Sequence, residues 1–140
     1  MVKSVLFLCN MNSVRSPMAA ALLAHRRGGA LRIDSAGVYQ GGFDPFIETV
    51  LGEAGVSLKG YEPKSIADID AGAFDLIVAL TPEAAEEARR LAPGKVEFWP
   101  VDNPSETRGS RDALLEAYRA VRDDLSARLR RRFPDKKEKP

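Results

Sequence analysis

The stretch Cys9-Asn10-Met11-Asn12-Ser13-Val14-Arg15-Ser16-Pro17 holds the residues best suited to chemistry in this chain. Cys9 is the single cysteine among 140 residues, and it ends the apolar run Val5-Leu6-Phe7-Leu8. Arg15 and Ser16 follow after a short polar loop, and Pro17 leads into helix-forming residues. A thiol beside a helix N-terminus and a guanidinium is stabilised as thiolate, the nucleophilic form. Cys9 is therefore expected to attack without a histidine base. Consecutive N–H groups in a loop curled over a helix start make an anion nest, here residues Asn10, Met11, Asn12, Ser13, Val14, Arg15 and Ser16. The planar fork of Arg15 can hold two oxygens of one anion, which a lysine cannot match. Phosphate, arsenate and sulfate all fit such a cradle. Pro17, near the first helical position, sacrifices no hydrogen bond, and Ser16 can cap the helix and turn its hydroxyl toward the sulfur.

The rest of the chain must place that loop at a strand end. Short, largely non-alternating apolar runs at about Ser4–Leu8, Leu31–Ser35, Phe74–Leu80 and Lys95–Trp99 read as strands buried on both faces. Helical stretches lie between and after them, from about Ser16 to Arg27, Pro45 to Ala54, Pro82 to Leu91 and Arg111 to Phe133. This alternation predicts an α/β fold: one domain with a four-stranded, doubly wound parallel sheet and helices on both faces. Gly28-Gly29 closes the first helix, Thr81-Pro82-Glu83 opens the third, and Pro93-Gly94 turns into the fourth strand. In the last helix Leu114, Leu115, Tyr118, Val121, Leu125 and Leu129 recur at helical spacing, so that stripe should pack on the sheet. Residues 1–134 are expected to form the domain, and residues 135–140 a basic, solvated tail.

Composition narrows the functional classes. A hydrophobic content of 44% suits a globular domain with a substantial core. Net charge is only +1, so Arg130-Arg131-Arg132 with Lys136, Lys137 and Lys139 reads as a helix C-terminus and tail rather than a nucleic-acid surface. One cysteine and one histidine, His25, cannot assemble a zinc site, and His25 amid arginines reads as a surface residue. The chain lacks the Gly-Lys-Ser/Thr of a nucleotide P-loop and the Gly-x-Gly-x-x-Gly of a dinucleotide fold. No metal and no cofactor are expected. Neither a secretory signal nor a membrane-length apolar stretch is present, which fits a cytoplasmic protein, expected to act as a monomer without membrane or nucleic-acid partners.

The segment Leu8-Cys9 through Ser16-Pro17-Met18-Ala19 resembles the Cys-x-x-Asn-x-x-Arg-Ser signature of the low-molecular-weight protein tyrosine phosphatases, and of the arsenate reductases that share their fold. Asp34-Ser35-Ala36-Gly37 is similar to that family's Ser-Ala-Gly. Phe74-Asp75-Leu76-Ile77-Val78 resembles its third strand, and Val101-Asp102-Asn103-Pro104 falls at its acid loop. The resemblance implies that Cys9 attacks phosphorus to form a cysteinyl-phosphate, that Arg15 stabilises the equatorial oxygens, and that water hydrolyses the intermediate. It also implies that Asn12 supports the loop through hydrogen bonds to Ser16 and Ser35. Asparagine tolerates φ > 0 better than other non-glycine residues, which agrees.

Three departures from the family pattern bear on activity. Where the family carries its general acid before proline, this chain has Asn103, so Asp102 is the carboxyl expected to serve instead. After Pro104 come Ser105-Glu106-Thr107 rather than aromatic pocket walls, and the loop Val38-Tyr39-Gln40-Gly41-Gly42-Phe43-Asp44-Pro45 is short, as in the reductase branch. Thioredoxin-coupled reductases need further cysteines, one near the end of the third strand, where this chain has Leu80-Thr81. Val14 stands where many family members have a second loop cysteine, and Met11 where glycine is common. The expected substrate is thus a phosphorylated protein or a small aryl phosphate. Arsenate reduction with an external small thiol and phosphate binding with weakened catalysis are the alternatives.

Overall fold

Strands form where the chain can bury both of its faces. In the computed structural model, which describes residues 1–58 and 61–134, β1 (Ser4–Cys9), β2 (Arg32–Gly37), β3 (Leu76–Ala79) and β4 (Val96–Phe98) make one parallel sheet in the order β2-β1-β3-β4. Every residue of β1 is buried. Val5, Phe7 and Cys9 join the core shared with helices α1 (Arg15–Arg27), α2 (Pro45–Glu53) and α4 (Arg111–Arg132). Leu6 and Leu8 join the smaller core beneath α3 (Pro82–Leu91), which presents Ala84, Ala85 and Ala88. Small residues there let the helix lie close to the sheet.

The fold is the expected α/β sheet, and its details show what fixes each boundary. β2 runs to Gly37 because β1 continues to Cys9 and the two pair in register, Cys9 against Gly37. β3 begins two residues later than its apolar run, since Phe74 ends a short 3-10 turn at Ala71–Ala73 and fills the core from there. Asp44, Thr81 and Ser110 each accept from a backbone N–H in the first turn of α2, α3 and α4. Leu115, Tyr118, Leu125 and Leu129 of α4 are buried, and Leu114 and Val121 pack against that core.

Helix α4 is also tied to α2. Glu53 receives Arg119 through Nε and Nη2 and Arg122 through Nη1 at 2.8 Å, and Arg122 Nη1 also donates to the Val50 carbonyl at 2.9 Å. Arg119 draws the Glu53 carboxyl down to about 2, with burial opposing and Arg122 adding to the effect. The C-terminal end of α2 is thereby held against the middle of α4.

The chain leaves β1 toward β2 on one side and later returns to β3 on the other. This switch point opens a crevice at the carboxyl ends of the strands, where ligands bind in doubly wound sheets. Cys9 lies there. Among the described residues no helix is long and apolar enough to cross a membrane, and no group of three or more His, Cys, Asp or Glu could hold a metal ion. His25 is exposed. The basic tail expected at residues 135–140 lies outside the described residues.

Candidate active site

The loop from Cys9 to Arg15 is fastened by its outward-facing carbonyls. Cys9 O accepts from Val38 N at 2.9 Å, Asn10 O from Tyr39 N at 2.8 Å, and Met11 O from Gly41 N at 2.8 Å. Among the described residues no backbone acceptor is used by the amides of residues 10–14. A run of such amides is the nest that an anion needs. The neighbouring segment must pass close to make these contacts. A Cβ on Gly37 would lie 2.4 Å from the Tyr39 carbonyl oxygen and 2.6 Å from Asn12 N, so only glycine fits there.

Asn12 is the turning point of the loop. Its φ of 54° is the only positive value at a described residue other than glycine, and it is fully buried. Its Oδ1 accepts from Lys64 N at 3.0 Å, which fixes the amide orientation so that Nδ2 donates to Ser16 Oγ at 2.7 Å. Ser16 Oγ in turn sits 2.9 Å from Cys9 Sγ and 3.2 Å from the Ala36 carbonyl oxygen. Asn12 fills an acceptor site on that hydroxyl, and the single serine proton is shared between the Ala36 carbonyl, to which it donates, and the sulfur. A donor in that position stabilises a thiolate.

The structure adds a residue that the sequence did not single out. Tyr61 donates its hydroxyl to both oxygens of Asn12, with the main-chain contact at 2.5 Å, and the Ser35 hydroxyl meets that same tyrosine oxygen. Ser35 therefore reaches Asn12 by way of Tyr61. Burial pushes the Tyr61 phenol well above its ordinary range, so it stays a neutral donor. Tyr61→Phe should leave Asn12 with fewer donors, loosening the loop, costing about 1 kcal/mol of stability and lowering turnover several-fold. Thermal melting and steady-state rates measured side by side would check both effects.

Around the sulfur is a cavity of about 180 Å³. Cys9, Met11, Ser13, Val14 and Arg15 line it from the loop. Gly41, Gly42 and Asp44 close one side, and Asn103 and Ser105 another. Cys9 is 2% exposed, at the bottom of this space. Arg15 Nη1 donates to the Val101 carbonyl at 3.0 Å, which draws the loop after β4 toward the site and leaves other guanidinium N–H groups available.

The remaining expected residues are placed as follows. The Asn10 side chain points away to receive Thr81 Oγ1 at 2.6 Å, where Thr81 also caps α3. Asn12 and Ser16 support the loop from behind, while Ser13 Oγ donates to the Gly42 carbonyl at 2.7 Å. Asp102 is exposed and outside the cavity lining, whereas Asn103 lines it. Asn103 Oδ1 accepts from Ser105 N at 3.0 Å and Ser105 Oγ at 2.7 Å, which starts the 3-10 turn Pro104–Glu106. Tyr39 and Phe43 are about half exposed beside the cavity segment rather than packed inside. Asp44, which the sequence shows only as a member of the short loop before Pro45, caps α2, and its place in the cavity follows from a fold contact that no local pattern encodes.

The site thus combines a buried cysteine at a strand end, an arginine opening the next helix and, between them, a loop whose amides use no backbone acceptor among the described residues. Residues 4–138 match the family model of low molecular weight phosphotyrosine protein phosphatases, and the chain belongs to that family. It is 30% identical over 131 residues to an arsenate reductase of Bacillus licheniformis, covering 92% of this chain and 94% of the relative. It is 36% identical over 98 residues to the low molecular weight protein-tyrosine-phosphatase YfkJ of Bacillus subtilis, covering 64% of this chain and 63% of that one. The crystal structure of the tyrosine phosphatase Wzb from Escherichia coli K30 in complex with sulphate superposes with a TM-score of 0.76 at 26% identity, covering 94% of this chain and 99% of the other.

Proposed function

We propose that this protein is a phosphomonoesterase of the protein tyrosine phosphatase type, acting through a cysteinyl-phosphate on Cys9. The observation that carries the reading is the Cys9 sulfur at the floor of an anion-sized cavity, 2.9 Å from the Ser16 hydroxyl, with Arg15 beside it. In the first step the thiolate attacks phosphorus and the phenolate leaves. Arg15 and the loop amides bind the equatorial oxygens, where negative charge must be held in the transition state. Ser16 stabilises the thiolate before attack and again as it departs in the second step.

Leaving-group protonation is the altered part of the site. Asn103 cannot donate a proton as an acid, and its carboxamide oxygen is engaged by Ser105. The proton must come from Asp102, swinging in from the exposed side of the loop, or from solvent. Restoring the carboxyl with Asn103→Asp should raise turnover of phosphotyrosine by about tenfold or more, because a positioned general acid contributes ~10²–10⁴. An activated aryl phosphate, whose phenolate leaves unaided, should respond much less. Equal effects on both substrates would show that another group already protonates the leaving oxygen.

A second reading, arsenate reduction coupled to an external small thiol, is favoured by the full-length similarity to the Bacillus licheniformis reductase. Only one sulfur is present in cysteine form, so an internal disulfide relay is ruled out and a small thiol would have to resolve the Cys9 adduct. The deciding experiment is a paired steady-state assay: hydrolysis of an aryl phosphate and a phosphotyrosine peptide, against arsenate-dependent consumption of a small thiol. Hydrolysis without arsenate-dependent thiol consumption supports the phosphatase. The reverse pattern supports the reductase, and phosphate binding with neither activity means a binding protein.

A further inference from the structure

We propose that Asp44 is the general base that activates water for hydrolysis of the cysteinyl-phosphate, an assignment that rests on the phosphatase reading. Asp44 is the only carboxylate among the described residues that line the cavity holding Cys9 and Arg15. The neighbouring acidic residue of the acid loop, Asp102, is exposed and lies outside that lining. The residue that occupies the acid-loop position in the cavity, Asn103, cannot take up a proton at neutral pH.

Asp44 is held in place from two directions. Its Oδ1 accepts from Phe46 N at 2.9 Å as the cap of α2, and its Oδ2 accepts from the Tyr118 hydroxyl at 2.5 Å. A carboxylate has about two acceptor sites on each oxygen, so these donors leave room for a water on the cavity side. Tyr118 is 1% exposed, and the ion pairs from Glu53 to Arg119 and Arg122 keep its helix against α2. Burial first, and then the Asp44 carboxylate, push the Tyr118 phenol well above its usual range, so it remains a donor throughout. A base fixed by a helix cap and a buried phenol meets the positioning that general catalysis needs.

The step balances as a simple hydrolysis. A water oxygen forms a bond to phosphorus opposite the sulfur, and one water proton passes to an Asp44 oxygen. The S–P bond breaks with its electron pair returning to Cys9 as thiolate, and inorganic phosphate departs. Asp44 then releases its proton to solvent. Release of an activated phenolate, which precedes this step, does not call on Asp44.

The assignment therefore predicts a split between two kinetic phases. Asp44→Asn keeps the volume and the helix cap, since asparagine caps about as well as aspartate. Rapid mixing of this variant with an activated aryl phosphate should give a burst approaching one phenolate per chain at close to the wild-type rate constant. The steady state that follows should be about 10²-fold slower than wild type. Mass spectrometry of the quenched reaction should find phosphate on Cys9. Loss of burst and steady state together, with an unchanged melting temperature, would overturn the assignment and mark Asp44 as a general positioning residue. Asp44→Asn turning over like wild type would overturn it as well. Wild type that releases no phenolate at all would instead sink the phosphatase reading on which the assignment stands.

Discussion

Cys9→Ser is expected to abolish hydrolysis of aryl phosphates, by about 10⁴-fold or more, while leaving phosphate binding within a few-fold of wild type. The reason is a separation of roles in the site. In the proposed mechanism binding rests on the loop amides and Arg15, and both survive the substitution because the backbone is fastened by Val38, Tyr39 and Gly41 from outside the loop. In the proposed mechanism the chemistry rests on sulfur. A serine hydroxyl ionises far less readily than a thiol, and the hydrogen-bonding neighbour of Cys9 Sγ among the described residues, the Ser16 hydroxyl, is no base. Calorimetric titration with inorganic phosphate beside the steady-state assay checks both halves. Residual turnover near wild type would show that the sulfur is a packing residue, and loss of phosphate binding would show that it shapes the nest.

Arg15→Lys is the second large expectation, a fall of about 10²–10³ in kcat with a smaller rise in KM. In the proposed mechanism Arg15 performs two tasks with one planar group. One Nη donates to the Val101 carbonyl, and the other N–H groups are free to face the equatorial oxygens. A lysine ammonium has the charge but no fork, and it cannot tether the loop after β4 while binding two oxygens. Because those oxygens carry most charge at the trigonal-bipyramidal transition state, the loss falls on kcat. A variant that keeps kcat and loses only KM would restrict Arg15 to ground-state binding.

The sequence made most of the scaffold legible. The start of the third helix carried its own cap at Thr81-Pro82, and buried parallel strands show as unbroken apolar runs, as in Val5-Leu6-Phe7-Leu8. The placement of Cys9 and Arg15 on one cavity, with Ser16 buried beside the sulfur, could be anticipated because all three belong to a single strand-loop-helix unit. Local sequence could not reveal partners brought together by the fold. Tyr61 meets Asn12 from 49 residues away, Thr81 meets Asn10 from 71, and Tyr118 meets Asp44 from 74. Tyr118 was read correctly as a core residue by its spacing, yet its hydroxyl does something the stripe does not encode. In the same way Asp102 and Asn103 are adjacent in sequence but differ in exposure, since the chain there is extended and neighbouring side chains diverge.

The stitching of the loop carbonyls to Val38, Tyr39 and Gly41 has a thermodynamic meaning beyond holding shape. A flexible anion loop loses conformational entropy each time it closes on its ligand, at about 1–2 kcal/mol for every residue fixed. Here that ordering is already complete when the chain folds, so it is charged to folding rather than to each encounter with an anion. A small oxyanion offers few atoms and little apolar area with which to offset such a cost. On the proposed reading, a short loop can recognise it because the loop is fastened by these bonds before the anion arrives.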